Sequence, residues 1–292
     1  MHERIERAGA SPRAWRAGLR NGTIAAAALV ALIIAFAPVS QAATASHGPA
    51  MTRMTGPWTG ATSSHGTSVT TSGCAGAKIT ATPAFHWMNG LTTMGLAAHS
   101  SNCNSLGGSY GYSDGSVEVT IPLTLPAGTS VVTAHWDVRA TLSADLTAVT
   151  CAMPNSGSTS NTSYSDCEAN SEASLSGYVY LWDTTSGATY FPATFWSGIG
   201  ASTSFYDYCY AGSCYASFSG SNHVSVLYGV SMHIRVHGAN TNDTFELVMY
   251  IYGSAYSQDY SYDATMTGGA AHATVDLMGP QDGVKLAWVG FL

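Results

Sequence analysis

The stretch His223-Val224-Ser225-Val226-Leu227-Tyr228-Gly229-Val230-Ser231-Met232-His233-Ile234-Arg235-Val236-His237 decides the fold class. Its even positions are all apolar, and its odd positions are small or polar except Leu227. A period of two belongs to a strand with one buried face and one wet face. After Gly238 to Asp243, a run of turn formers, the alternation resumes at Phe245, Leu247, Met249 and Ile251. The two segments predict a β-hairpin at the centre of a sheet, with Arg235 facing Glu246 across the turn.

Outward from this stretch the same period recurs. Val117, Val119, Ile121, Leu123 and Leu125 alternate with polar residues, and Pro122 among them predicts an edge strand or a bulge. Val132, Ala134, Trp136, Val138, Ala140 and Leu142 form another such series. Segments 178–182 and 188–195 predict a hairpin about Asp183 to Gly187, and further strands are expected over 256–262, 273–278 and 284–292. Residues 74–115 read as irregular, apart from a short buried strand at Phe85 to Met88, and 153–174 as a polar loop. No segment past residue 45 carries a 3.6-residue apolar period. The expected fold is a single all-β domain over 73–292, an antiparallel, jelly-roll-like β-sandwich stapled by disulfides.

The N-terminus reads differently. Arg4, Arg7, Arg13, Arg16 and Arg20 precede an apolar run from Ile24 to Val39, and Ala43-Thr44-Ala45 fits a cleavage site. That is the pattern of a secretory signal peptide over 1–45. An uncleaved anchor is the alternative, although 16 apolar residues with Pro38 among them fall short of the ~20 that a span needs. Residues 46–72, rich in Gly, Ser, Thr and Pro, are expected to form a flexible arm.

Without residues 1–45 the chain keeps five of its 10 basic residues and 15 of its 17 acidic ones, a net charge of −10. Arg53, Lys78, Arg139, Arg235 and Lys285 are too few and too scattered in sequence to track a phosphate backbone, which excludes nucleic acid as the expected partner. A surface solubilised by hydroxyls more than by ions is expected to tolerate acid. All six cysteines, Cys74, Cys103, Cys151, Cys167, Cys209 and Cys214, lie beyond the leader, which favours disulfides in an exported chain. Their spacing suggests the local pairs 74–103, 151–167 and 209–214.

Three constellations could carry chemistry. The first is the polar faces His135-x-Asp137-x-Arg139 and His233-x-Arg235-x-His237. Were these strands neighbours, His135, Asp137, His233 and His237 could gather into a metal or anion site; otherwise they form a solvated sheet face. The second is the aromatic run around Cys209 and Cys214. A disulfide-pinned hairpin there would display Tyr206, Tyr208, Tyr210 and Tyr215 for stacking on sugars or filling a partner's pocket. The third is acidic. Phe245-Glu246-Leu247-Val248-Met249-Tyr250 resembles the nucleophile strand of compact β-jelly-roll cellulases, which implies Glu246 as a nucleophile. The second glutamate such families carry late in the chain is absent, so Glu118 would have to take its place. Asp259 and Asp263 are an acidic pair without an EF-hand pattern, and Asn161 and Asn242 head glycosylation sequons.

The expected function is a secreted or cell-surface, non-catalytic binding or adhesion module. It needs no cofactor, and its partner is a glycan or a cell-surface protein met through tyrosine-rich loops. A polysaccharide hydrolase using Glu246 is the second reading. A surface-layer or pilin-like filament subunit is the third, with Gly22 before the apolar run as its processing site.

Overall fold

The computed structural model describes residues 51–101, 108–152, 164–192, 196–210, 215–237, 243–262, 265–267, 270–278 and 282–292. Two antiparallel sheets pack face to face. One has eight strands: β1 (Thr52–Met54), β3 (Gly76–His86), β4 (Leu91–Ser101), β6 (Val131–Ala152), β10 (Tyr215–Arg235), β12 (Thr265–Thr267), β13 (Ala270–Asp276) and β14 (Gly283–Phe291). The other has six: β2 (Thr62–Ser72), β5 (Ser109–Leu123), β7 (Tyr164–Asp183), β8 (Thr189–Tyr190), β9 (Trp196–Tyr210) and β11 (Phe245–Tyr262). The six-stranded sheet runs β2-β5-β11-β7, with β8 and β9 sharing the far edge of β7. Among the described residues there is no helix long and apolar enough to cross a membrane. The signal segment lies outside the described residues.

The expected sandwich stands, and its core is the one that the alternation implies. Even positions of β6 from Val132 to Leu146 are buried, as are Met232 and Ile234 of β10 and Val236 just after it, opposed by odd positions of β5 and β11 such as Val119, Ile121, Leu247 and Met249, whereas Val224, Val226, Tyr228 and Val230 are only partly buried against this core. Trp136 on one sheet donates its indole N–H to Met249 Sδ on the other at 2.6 Å. Two inward glycines, Gly115 and Gly253, sit side by side across β5 and β11. A Cβ at either would lie 2.8 Å from Pro83 Cγ or Met94 Sδ, so bare backbone there lets the opposite sheet close in.

The hairpin expected of residues 223–251 does not form. β10 pairs with β6 in one sheet, and β11 pairs with β5 and β7 in the other. Alternation reports which face of a strand is buried, and it reports nothing about the neighbour that strand takes. Glu246 accordingly lies opposite Pro122 and Trp182, and Arg235 opposite Val131. The tyrosine hairpin about Cys209 and Cys214 fails for the same reason, because β9 pairs with β7 and β10 with β6.

Three other stretches are more regular than their sequences suggest. Segment 46–72 contributes β1 and all of β2, whose fully exposed, Ser/Thr-rich residues pair with β5 from Thr62 to Ser72. A strand that adds backbone hydrogen bonds and buries neither face needs no apolar alternation. Residues 76–101 form the β3–β4 pair, with Trp87 and Met88 exposed in its turn and not buried. The expected loop 153–174 is strand from Tyr164, where the inward residues are the small Cys167, Ala169, Ser171 and Ala173. The hairpin about Asp183 to Gly187 does form, as β7 and β8. Contrary to the expectation at Pro122, β5 is an interior strand without a bulge there; β2 starts opposite Thr120, so the proline has no ladder partner on that side. Cys74 and Cys167 are disulfide-bonded. Their pairings, and the sequon asparagines Asn161 and Asn242, fall outside the described residues.

At one end the interior turns polar. Asp259 is buried with Ser100, Ser109, Ser113 and Ser257, and both its carboxyl oxygens lack a well-placed hydrogen-bond partner. It therefore faces inward, on β11. Burial pushes its pKa above the ordinary 3.8, opposed by the Ser100 hydroxyl and by His272. A carboxyl whose folded pKa is raised favours folding while protonated, and that advantage is lost as pH climbs past the unfolded value. Asp259→Asn, which is neutral at every pH, is expected to be more stable than the parent at pH 7 by about 1–3 kcal/mol. The gain should shrink below about pH 4; equal melting temperatures at pH 7 would refute it.

Candidate functional site

The outer face of the six-stranded sheet is built from the even positions of β5, β7 and β11. Register lines these up in rows. Glu246 stands between Pro122 and Trp182, Val248 between Thr120 and Tyr180, and Tyr250 between Glu118 and Tyr178. Further along come Tyr252 between Ser116 and Ser176, then Tyr256 between Tyr112 and Glu172. From Glu246 to Tyr260 the strip spans 14 residues of β11, roughly 48 Å at ~3.4 Å per residue.

The upper rows form an aromatic platform. Tyr178 and Tyr250 stack at 5.1 Å between centroids with 24° between planes, Tyr178 and Tyr180 at 6.4 Å, and Phe191 tilts against Tyr180 at 5.8 Å. Tyr178 is 41% exposed, Trp182 39% and Phe191 57%. Val248 points to the same face and is nevertheless buried, which requires the surrounding side chains to lie over it. Phe191 and Trp182 are held by the β7–β8 turn. There the buried Asp183 carboxylate accepts bonds from the Thr185 and Ser186 backbone N–H groups and from the Ser186 hydroxyl.

Hydroxyls and carboxylates punctuate the rings. Tyr112 and Tyr252 share a hydrogen bond at 2.5 Å, and Tyr256 donates to Gln258. Burial, then Tyr250, Tyr180 and Glu118, raises the Tyr178 hydroxyl above its ordinary 10.0; burial, then Glu118 and Glu246, does the same to Tyr180. Burial and the bond to Tyr112 drive Tyr252 further up, and burial with Glu168 and Glu172 pushes Tyr256 up to about 12. These phenols remain hydrogen-bond donors at any physiological pH, with carboxylate acceptors beside them. A face that alternates flat rings, O–H donors and carboxylates is complementary to a pyranose, which offers C–H faces and hydroxyl edges.

The Asp183 turn supplies a pH prediction. Burial alone would raise the Asp183 pKa, but the three bonds from Ser186 and Thr185 outweigh it and hold the pKa below 3.8. A depressed folded pKa stabilises above the unfolded value, and that contribution is lost as pH falls through the folded one. Asp183→Asn should therefore melt lower at pH 7 by the equivalent of about 1–2 kcal/mol. The gap should narrow in melts taken below about pH 4, and a pH-independent gap would contradict this account.

Of the residues singled out in the sequence, Tyr206 is 55% exposed on β9 and pairs across to Glu168, at the far end of the same sheet from the platform. The side chains of Tyr208, Tyr210 and Tyr215 are outside the described set. Glu118 and Glu246 share the outer face but stand four residues apart in register, about 14 Å along the strands. The two strands bearing His135, Asp137, His233 and His237 are indeed neighbours, yet the register separates their ligands. His135 hydrogen-bonds Ser231 at 2.7 Å and stacks on Trp288, while His233 bonds Thr133 at 2.9 Å. Among the described residues no three His, Cys, Asp or Glu side chains are placed to hold a metal ion. The signal for the platform in the sequence is Tyr178-x-Tyr180-x-Trp182, alternating with the apolar Val179 and Leu181.

The molecule is thus an antiparallel β-sandwich with an aromatic and acidic outer face. No protein family matches the chain, and no curated protein does. A solved structure described as concerning the promiscuous specificity of carbohydrate-binding modules from the β-sandwich superfamily is similar at 10% identity and a TM-score of 0.19. The similarity covers 78% of this chain and 56% of that one, and a superposition of that quality carries neither fold detail nor ligand across.

Proposed function

We propose that this chain is a secreted or cell-surface, non-catalytic module that binds glycans on the outer face of its six-stranded sheet. The observation that carries the reading is the exposed platform of Tyr178, Tyr180, Tyr250 and Phe191, bordered by Glu118, Glu246 and Trp182. Rings already packed on one another lose little freedom when a ligand stacks on them. Bonded cysteines at 74 and 167 support an oxidising compartment. The local pairs 74–103, 151–167 and 209–214 belong to the same proposal. The test is a glycan array and isothermal titration on residues 46–292, with retention of neutral oligosaccharides expected. An array with no neutral glycan bound would overturn the reading.

One observation favours the hydrolase as a second reading: Glu118 and Glu246 both act on the Tyr180 hydroxyl. Their spacing along the strands exceeds the ~5–9.5 Å between carboxyl groups that glycosidases use. Turnover of any polysaccharide that disappears in Glu246→Gln would place this reading first.

A further inference from the structure

The two sheets divide the charge. Arg53, Lys78, Arg139, Arg235 and Lys285, the whole basic complement past residue 45, lie on strands of the eight-stranded sheet. The four glutamates of the same segment, Glu118, Glu168, Glu172 and Glu246, lie on the other. The eight-stranded sheet also carries Asp137, Asp145 and Asp276, with Asp282 next to β14, so its outer face offers cations paired with acids, whereas the tyrosine face has no Lys or Arg on its strands.

That opposite face also holds a cleft of about 540 Å³ where β10, β6 and β14 run side by side and the β3–β4 turn overhangs. Its rows are Gly229–Asp137–Lys285 and Leu227–Arg139–Gly283. Asn89 from the turn closes one side, and Leu227, 74% exposed, provides the other. The volume falls within the range of small-ligand sites. Gly229 keeps the floor low, since a Cβ there would lie 2.9 Å from the His135 ring. Outside the lining of the cleft, Trp288 stacks on His135 at 4.9 Å and the Arg53 guanidinium lies over the Trp288 ring at 4.3 Å. Arg139 is held by Asp282 at 3.1 Å, and Lys285 carries no ion pair among the described residues.

We propose that this cleft is a second glycan site, selective for acidic saccharides that carry hexuronate carboxylates. Lys285 takes the carboxylate, and Arg139, whose charge Asp282 balances, adds guanidinium N–H donors at the edge of the cleft. Asp137 and Asn89 take ring hydroxyls, the one as acceptor and the other as donor and acceptor. Leu227 covers the apolar face of the sugar. An anion without hydroxyls would leave Asp137 opposed to it, which is why the geometry favours a sugar acid over a bare phosphate or sulfate. The site shares no residue with the tyrosine face, so either can stand without the other.

Isothermal titration tests it with tetramers of galacturonate and of mannuronate, each alongside its methyl ester, which keeps the ring and removes the charge. Binding of at least one tetrauronate is expected, weakening as salt rises, with its ester bound about tenfold less tightly. Lys285→Gln should lose about the same factor while leaving the melting temperature in place, because the side chain is exposed. Tyr178→Ala should leave tetrauronate affinity unchanged while impairing neutral glycans. Failure to bind either tetrauronate, equal affinity for the ester, or full affinity in Lys285→Gln would each overturn the proposal.

Discussion

Tyr178→Ala and Tyr250→Ala are each expected to reduce neutral-glycan affinity by about 30-fold, roughly 2 kcal/mol, the scale of an aromatic hot spot at the centre of a binding face. The reason is geometric. Tyr178 and Tyr250 are cross-strand partners stacked at 5.1 Å, so removing either ring strips one half of a shared surface and leaves its partner free to turn. Tyr178→Phe should keep most of the affinity if stacking dominates, and lose several-fold if the phenolic O–H donates to the sugar. Tyr206→Ala supplies the contrast. It is comparably exposed but lies ten residues further down β7's register, opposite Glu168, and should change affinity by less than about threefold. Titrations in which Tyr206→Ala is the damaging variant and Tyr178→Ala is not would move the site to the cysteine-flanked end of the molecule.

The second large effect concerns the fold. Trp136→Ala should destabilise the protein by about 3–5 kcal/mol, the usual range for truncating a buried aromatic. Trp136 is 2% exposed, belongs to the longest strand, and bridges the sheets through its N–H bond to Met249. Truncation opens a cavity between two sheets that are tied by their own ladders and cannot easily collapse into it. A drop of about 10 °C in the melting temperature is expected for a domain of this size. Leu227→Ala on the same sheet removes a side chain that is 74% exposed, and should shift stability by no more than about 0.5 kcal/mol. Similar melting temperatures for the two variants would mean that the sandwich is not held at Trp136.

The pH behaviour of the interior ties these energetics to the composition. The sequence led to the expectation of a fold that tolerates acid because few ions hold it. Asp259 acts in that direction, since its buried carboxyl is better accommodated with a proton than without one. Asp183 acts in the opposite direction, through bonds that need its charge. A circular-dichroism titration from pH 7 to pH 3 tests that expectation, with Asp183 and Asp259 pulling in opposite directions.

The alternation of apolar residues by itself determined the all-β class, most of the side chains that form the core, and that the tyrosines and glutamates in the regular part of β7 and β11 point away from it, whereas Asp183 and Asp259 of the same strands are buried. Burial depends on a strand's own period, which is a local property. Where the period was missing, as in β2 and the start of β7, strands were unreadable: one buries neither face, and the other buries only small residues. The neighbour each strand takes was decided in three dimensions, because backbone hydrogen bonds are nearly blind to side-chain identity. The segments 223–237 and 245–251 look like a hairpin and are instead the inner walls of opposite sheets. That one difference separated Arg235 from Glu246 and stacked Tyr250 on Tyr178. It also sorted cations and glutamates onto opposite faces, because each face collects residues from strands far apart in the chain.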